Sequence, residues 1–254
     1  MSNTQDDRRR EEAERQFFAR YYAEQAYHPV GWRLRLERDA RLLRGAAPGG
    51  RLGRVLSVGC GDGQFELAIA PYAEHVVGVD LSPEAIAVAE RARAARSVPN
   101  VEFRCQALAD LAWSESFDTV VCLAFLHHVP EVALPGFLDT IRRHLRPGGI
   151  FYAQDPNVNG VLRSIGRVVM GARYGTYHTP DERELDPDEL CAALRAAGFA
   201  TLDVRYVDLT LIPGLYVWKR GAAWPMHLAA LVDRVFCASP FARWASGFAV
   251  IARA

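Results

Sequence analysis

The sequence predicts an α/β fold: a doubly wound, Rossmann-like sheet of mostly parallel strands with helical cap segments added to it. Short apolar runs alternate with amphipathic segments from residue 54 onward, and this alternation favours right-handed crossovers and a parallel sheet. A glycine-rich stretch follows the first apolar run, as expected where a strand turns sharply into a helix. The length of 254 residues and the 50% hydrophobic content suit one such domain with an added cap.

Seven runs rich in β-branched and other apolar residues are predicted strands. They are Arg54–Val58, Val76–Asp80, Val101–Cys105, Phe117–Leu123, Ile150–Asp155, Ala200–Leu209 and Gly247–Ala252. The predicted helices between them are Gln64–Tyr72, Pro83 to about Ala95, about Glu131–Leu145, and Asp186–Ala197. Ser82 before Pro83 is a typical helix start, because serine caps an N-terminus and the first turn tolerates proline.

Residues 1–50 are predicted to form an N-terminal helical lid and residues 51–254 the main domain. Within the lid we expect disorder to about residue 12, a helix over Glu11–Ala26, a second over about Trp32–Arg44, and a linker over Gly45–Gly53. Two segments interrupt the strand–helix alternation, near residues 156–185 and 210–246, and are predicted cap insertions. Ligands bind at the carboxyl ends of the strands in such sheets, so we expect the cap to cover that edge.

The charge balance and the cysteines exclude several classes of protein. Thirty basic residues balance thirty acidic ones, whereas nucleic-acid-binding proteins normally carry a basic excess, so we expect no nucleic-acid partner. The N-terminus is too polar for a secretory signal. The longest uncharged stretches hold about a dozen residues, fewer than the roughly 18–20 that span a bilayer. Five cysteines without a CxxC pair favour reduced thiols. We therefore expect a cytoplasmic protein, with peripheral membrane or lipid contact left open.

The strongest chemical signal is the run VLSVGCGDGQF at residues 55–65. Gly59, Gly61 and Gly63 allow a sharp turn, and the helix that follows offers amide donors to a ligand. Asp80 ends the next predicted strand, where a carboxylate can accept hydrogen bonds from ribose hydroxyls. The GxGxG spacing differs from the GxGxxG of dinucleotide-binding domains, which disfavours a nicotinamide-dependent oxidoreductase. Together these features predict a nucleoside site.

Five blocks extend this signal over about residues 51–209. They read VLSVGCGDG, VVGVDLSPEAIAVAERA, VEFRCQALADLAWSESFDTVVCLAFLHHVPE, LRPGGIFYAQDPN and DELCAALRAAGF. In this order they resemble the class I S-adenosylmethionine-dependent methyltransferase family, in its small-molecule branch. The resemblance implies a seven-stranded sheet whose last strand is antiparallel. It also implies S-adenosylmethionine as cofactor and S-adenosylhomocysteine as product.

The resemblance further implies which residues contact the cofactor. Gly59, Cys60 and Gly61 would contact the methionine part of the cofactor, and Asp80 would bind the ribose. Leu81 would pack on the adenine face, and Ala107 and Leu108 would line the adenine edge. Cys122 and Leu123 would face the sulfonium end. Two positions depart from the family pattern, because Ser57 and Ala107 stand where many members carry an acid. Ser57 can still accept a hydrogen bond and backbone groups can still read adenine, so the departures concern affinity rather than cofactor identity.

His127 and His128, after the fourth predicted strand, are the candidate catalytic residues. An alcohol or phenol acceptor often needs a base within hydrogen-bond reach, and imidazole titrates near neutral pH. Asp155, at the end of the fifth predicted strand, could orient one of the histidines. In the alternative interpretation the histidines pack or cap the next helix and Asp155 shapes a turn, because alignment and desolvation alone can carry methyl transfer.

Two missing motifs narrow the acceptor. Residues 123–126 read LAFL, not the Asn/Asp-Pro-Pro-Tyr/Phe tetrapeptide common in amino-group methylation. The acids of metal-dependent catechol methylation are also missing as a set, so we expect no metal. Residues 209–246 are rich in apolar and aromatic side chains, which either pack as a cap or line an acceptor channel. We therefore predict O-methylation of a small, apolar or lipid-like metabolite. The alternatives are N- or C-methylation of a natural-product intermediate and a non-catalytic S-adenosylmethionine-binding protein.

Overall fold

A computed structural model of the chain describes residues 28–112, 116–171, 182–218 and 221–254. Its strands are β1 (Gly53–Val58), β2 (Ala73–Asp80), β3 (Val101–Cys105), β4 (Phe117–Leu123), β5 (Leu145–Pro156), β6 (Ala200–Val207) and β7 (Gly247–Arg253). They form one sheet in the order β3-β2-β1-β4-β5-β7-β6. The strands from β1 to β6 run in one direction, and β7 is antiparallel to both its neighbours. This confirms the predicted fold class and the predicted direction of the last strand.

Helices cover both faces of the sheet. They are α1 (Pro29–Ala46), α2 (Gln64–Ile69), α3 (Pro83–Ala95), α4 (Leu134–His144), α5 (Val161–Met170), α6 (Pro187–Ala196), α7 (Leu211–Val217) and α8 (Trp224–Phe236). Helices α4 and α6 pack on one face, where Leu138 and Leu194 are fully buried. Helices α1, α2 and α3 pack on the other, around Leu43 and Ile69. The apolar runs of the strands are therefore buried on both sides, as expected of a parallel sheet.

Most predicted elements appear with shifted ends. The Ser82 hydroxyl accepts the Ala85 N–H, as a helix cap does. Strand β5 begins five residues before its predicted start, because Leu145 pairs with Phe117, the first residue of β4. Helix α4 begins after its predicted start, because residues 130–133 form a turn closed by hydrogen bonds to the Pro130 carbonyl.

The predicted linker over Gly45–Gly53 contains the end of α1, a single 3₁₀ turn at Pro48–Gly50 and the first residue of β1. The predicted helix over Glu11–Ala26, and the disorder expected before it, lie outside the described residues. The assignment of residues 1–50 as a lid stays a prediction.

Helix α1 is fixed on the sheet by buried polar contacts. Its Arg35 guanidinium donates to Asp208, just after β6, at 3.0 Å and to Gln154 of β5 at 2.8 Å. The Tyr152 hydroxyl of β5 donates to Asp39 of α1 at 2.9 Å. Because buried charges are costly unless they are paired, these contacts specify where α1 lies on the sheet.

The segments predicted as cap insertions contain helices α5, α7 and α8. Leu211, Leu215 and Met226 form a small core between α7, α8 and the start of α1. Gly31 lies so close to this core that an added Cβ would be 2.4 Å from Leu215 Cδ2. In the described ranges, no helix combines the length and apolar character needed to cross a membrane.

Candidate active site

The glycine loop joins β1 to α2 at the carboxyl edge of the sheet. Gly59, Gly61 and Gly63 all have positive φ, at 72°, 55° and 74°, a region that favours glycine. A Cβ on Gly59 would lie 2.2 Å from the Phe125 ring, and one on Gly63 would lie 2.5 Å from the Phe103 ring. The loop therefore needs glycine both for its conformation and for its close packing.

Asp80 lies beside this loop, as predicted. Its two carboxylate oxygens accept backbone N–H groups of Gly61 and Ser82, each at 2.9 Å. Each oxygen has a second lone pair, so the carboxylate can still accept ribose hydroxyls. Leu81, next along the chain, is apolar and 50% exposed, which suits a residue that packs on a base. The loop, the acid and the exposed leucine fit a nucleoside cofactor.

Ser57 lies beneath the loop and is hydrogen-bonded inside the protein. Its hydroxyl donates to Glu66 Oε1 at 2.6 Å, and both side chains are buried. Burial raises the pKa of Glu66 to about 7, although the Ser57 hydrogen bond lowers it. Many members of the family that the sequence resembles carry an acid at the position of Ser57. In this protein the Glu66 carboxyl of α2 lies next to that position.

The other residues predicted to contact the cofactor lie on the strand ends around the loop. Ala107 and Leu108 are at the start of a 3₁₀ turn (Leu108–Asp110) that follows β3. Cys60 and Cys122 are buried, and burial raises the pKa of each thiol well above its ordinary value. The Cys122 side chain belongs to the core, whereas Leu123 is part-buried.

The histidine pair lies on a 3₁₀ turn (Leu126–His128) directly after β4. His127 Nδ1 is 2.8 Å from Asp155 Oδ1, and the His127 backbone N–H donates to the same oxygen at 3.1 Å. Asp155 is fully buried, and burial raises its pKa to about 8. The structure thus brings the three predicted catalytic residues together, because Asp155 contacts the His127 ring and the His127 ring lies beside that of His128.

The rest of the turn faces a segment that leads into α6. The rings of His127 and His128 have centroids 4.0 Å apart. On the far side of His127, Nε2 is 3.5 Å from Glu182 Oε1. The Arg183 backbone N–H donates to the His127 carbonyl at 3.1 Å and fixes this segment against the turn.

Three residues of this region were missed by the sequence reasoning: Phe125, Glu66 and Glu182. Phe125 precedes the predicted histidines, and its aromatic character so close to them was a usable signal. Glu66 falls in the first turn of a helix, where an acid is common for reasons of the helix dipole alone. Glu182 lies 55 positions after His127, and no sequence pattern links the two.

The chain is similar to known proteins over much of its length. A family model described as a methyltransferase domain matches residues 55–149. The ubiquinone biosynthesis O-methyltransferase of Xylella fastidiosa (strain 9a5c) is 37% identical over 160 residues, which are 59% of this chain and 62% of the relative. The protein of the same name from Xanthomonas campestris pv. campestris (strain B100) is 35% identical over 175 residues, 65% of this chain and 69% of the relative.

A solved structure, the complex of DhpI with SAH, covers 96% of each chain with a TM-score of 0.60 at 20% identity. At that identity the likeness shows the fold alone. This chain spans about 62% of the length of the first Xylella relative.

Proposed function

The chain belongs to the class I S-adenosylmethionine-dependent methyltransferase family, and we propose that it transfers the methyl group of S-adenosylmethionine to an oxygen of a small-molecule acceptor. The observation that carries the proposal is the Phe125 ring against Gly59. This contact joins the glycine loop to the histidine turn, so a cofactor on the loop and an acceptor at His127 would be neighbours. The names of the Xylella and Xanthomonas relatives support oxygen as the methylated atom.

The cofactor would lie across the carboxyl ends of β1, β2 and β3. Backbone groups of the glycine loop would hold the methionine part, Asp80 would accept the ribose hydroxyls, and Leu81 would cover the adenine. Backbone groups at Ala107 and Leu108 would meet the adenine edge. Cys122 and Leu123 would contribute backbone to the sulfonium end, because the Cys122 thiol is in the core.

When bound, S-adenosylmethionine supplies an electrophilic methyl group on a sulfonium. The protein has to align an oxygen with that carbon, exclude water and let the hydroxyl proton leave. We place the hydroxyl against His127 and His128, with Asp155 orienting the His127 ring at 2.8 Å. The carbon–oxygen bond forms as the carbon–sulfur bond breaks, and the proton leaves at this turn.

An apolar or lipid-like acceptor is supported by the surface of the cap helices. Helix α8 exposes Trp224, Leu228, Leu231 and Val235, each more than half accessible, at the spacing of one helical face. Helix α5, which starts shortly after β5, also exposes valine and isoleucine side chains. Exposed apolar patches mark binding surfaces. The apolar side chains of α5 and α8 lie in the segments that follow the carboxyl ends of β5 and β6.

The cofactor part of the proposal is tested by calorimetry with S-adenosylmethionine, S-adenosylhomocysteine and NAD. We expect the first two to bind and NAD to give no measurable heat. Mass spectrometry of the purified protein for retained cofactor is an independent check. Preference for NAD would contradict the assignment of the loop.

The acceptor part is tested with methyl-labelled S-adenosylmethionine and a series of phenols that carry alkyl chains of increasing length. We expect label on oxygen and kcat/KM rising with chain length, and Leu228→Gln should flatten that rise. Equal rates across the series would refute an apolar acceptor. Transfer to amines alone would favour N-methylation, and cofactor binding without turnover of any acceptor would favour the non-catalytic alternative.

A further inference from the structure

Three ligand-bearing side chains from two separate segments meet beyond the carboxyl end of β4. His127 and His128 come from the turn after that strand, and Glu182 comes from the segment before α6. One ligand atom from each side chain can be chosen so that all three lie within 4.8 Å of one another. Two imidazoles and a carboxylate are the donor set that divalent transition metals prefer.

Asp155 contacts the His127 ring on the side opposite Glu182. It holds Nδ1 of His127 at 2.8 Å, which leaves Nε2 pointing toward Glu182 at 3.5 Å. Histidines that bind metals almost always donate their other ring N–H to a carboxylate or carbonyl, and this fixes the ring orientation. The His127 side chain is 6% exposed and that of Glu182 is 12% exposed, so the ligands are shielded but lie near the surface.

We propose that His127, His128 and Glu182 bind one divalent transition metal ion of the zinc type, with Asp155 positioning His127. Ligand atoms about 2.0–2.2 Å from a tetrahedral ion lie roughly 3.4 Å from each other, so the cluster needs only a small contraction. Three protein ligands leave a fourth position open, as in catalytic zinc sites. This departs from the sequence-based prediction that the protein holds no metal.

The role of the ion rests on the proposed methyl transfer. The three ligands lie at the turn where we place the acceptor hydroxyl, and a bound divalent cation would lower the pKa of a coordinated oxygen acid. His127, His128 and Glu182 would hold the ion, the ion would supply a Lewis acid for the acceptor oxygen, and the hydroxyl proton would pass to water. On this proposal the two histidines assist loss of the hydroxyl proton as metal ligands and do not accept that proton themselves.

The test uses Co²⁺ as a probe on the full, tag-free chain after treatment with a chelator. We expect one equivalent of Co²⁺ to give ligand-field bands in the visible, which Zn²⁺ then displaces. Glu182→Gln and His128→Ala should each weaken Co²⁺ binding at least tenfold and change the bands. Asp155→Asn should weaken it about 10–100-fold without removing a ligand.

Glu184→Gln is the matched control. Glu184 lies two residues from Glu182 and is also largely buried, but it pairs with Arg163 and Arg167. It should retain wild-type Co²⁺ binding, and thermal melts of each variant check the fold. The proposal is overturned if the wild type gives no saturable binding, or if Glu182→Gln binds Co²⁺ as tightly and with the same bands as the wild type.

The metal site and the methyl transfer fail separately. If the wild type transfers methyl groups at full rate after metal removal, the role of the ion in methyl transfer is wrong and the proposed function stands. If Co²⁺ binds as described but no acceptor is methylated, the site stands and the proposed function falls.

Discussion

Glu66 lies under the cofactor loop with its carboxyl removed from water, and this makes it a sensitive position for a pH-dependent test. The side chain is 1% exposed. One oxygen accepts the Ser57 hydroxyl, and the other, Oε2, is buried without a hydrogen-bond partner among the described residues. Burying a charge under these conditions is costly, and the nearby carboxylates Asp62 and Asp80 add to the cost. We expect the group to be neutral in the folded protein at mildly acidic pH.

The magnitude follows from the change in pKa on folding. Burial raises the pKa of Glu66 from its ordinary value of 4.5 to about 7. Each pKa unit corresponds to about 1.4 kcal/mol, so the gap is worth about 3 kcal/mol. Between these two pH values the folded state binds a proton that the unfolded state has lost, so the free energy of unfolding falls as pH rises. The stabilisation is fully present below about pH 4.5 and is lost above about pH 7.

The substitution Glu66→Gln keeps the shape and the Ser57 hydrogen bond but cannot ionise. We expect its free energy of unfolding to lack this decline, so that it gains up to about 3 kcal/mol on the wild type between about pH 5 and about pH 8.5. Urea unfolding at a series of pH values measures the difference, with equal m-values as the check on two-state behaviour. The control is Glu74→Gln, an exposed carboxyl on β2, which should follow the wild-type profile.

Parallel pH profiles for Glu66→Gln and the wild type would refute this reasoning. They would mean that the carboxylate is ionised in the folded protein and compensated by water or by a rearranged loop. If these parallel profiles are also offset, so that the variant is less stable by a constant amount at every pH, the substitution disturbs packing as well.

Three further predictions concern the site and the position of α1. Asp80→Ala should weaken S-adenosylhomocysteine binding tenfold to a hundredfold by calorimetry, since a hydrogen bond to a charged group contributes about 1.5–3 kcal/mol. Unchanged affinity in a folded variant would mean that the ribose does not bind at Asp80. His127→Ala and His128→Ala should each slow methyl transfer about 10²–10⁴-fold, the loss typical when removal of the acceptor's proton is no longer assisted. Cofactor affinity should stay within about threefold, and rates within about threefold of wild type would mean that the histidines are structural. Asp208→Asn should lower the free energy of unfolding, measured with urea, by about 3–5 kcal/mol, because it leaves Arg35 with a neutral partner in a buried site. A decrease below about 1 kcal/mol would show that water reaches the pair.

The sequence predicted the structure correctly wherever an element is determined by residues that are adjacent in the chain. Apolar runs predicted every strand of the sheet, because a strand buried on both faces must be apolar throughout. Ser82 and Pro83 predicted the start of α3 for a similar reason, since a cap acts on the residues next to it. The glycine loop was also visible, because only glycine tolerates both its positive φ values and the rings of Phe103 and Phe125.

Element ends and the composition of the site were decided by contacts between distant residues. The early start of β5 depends on pairing with the beginning of β4, which is not encoded in residues 145–149 themselves. Asp155 was a candidate from its place after an apolar run, but its contact with His127 Nδ1 depends on the register between β4 and β5.

By itself, the sequence determined the family, the sheet and the side of the sheet where chemistry is expected, because these depend on periodicity and on residues close together in the chain. The tertiary structure alone decided that Glu66 is bound to Ser57 and that Glu182 faces His127. Both contacts join elements whose relative positions are set by the packing of the whole domain. Hydrogen bonds and ion pairs act over about 3–4 Å, so which side chains meet depends on the folded positions of the backbone.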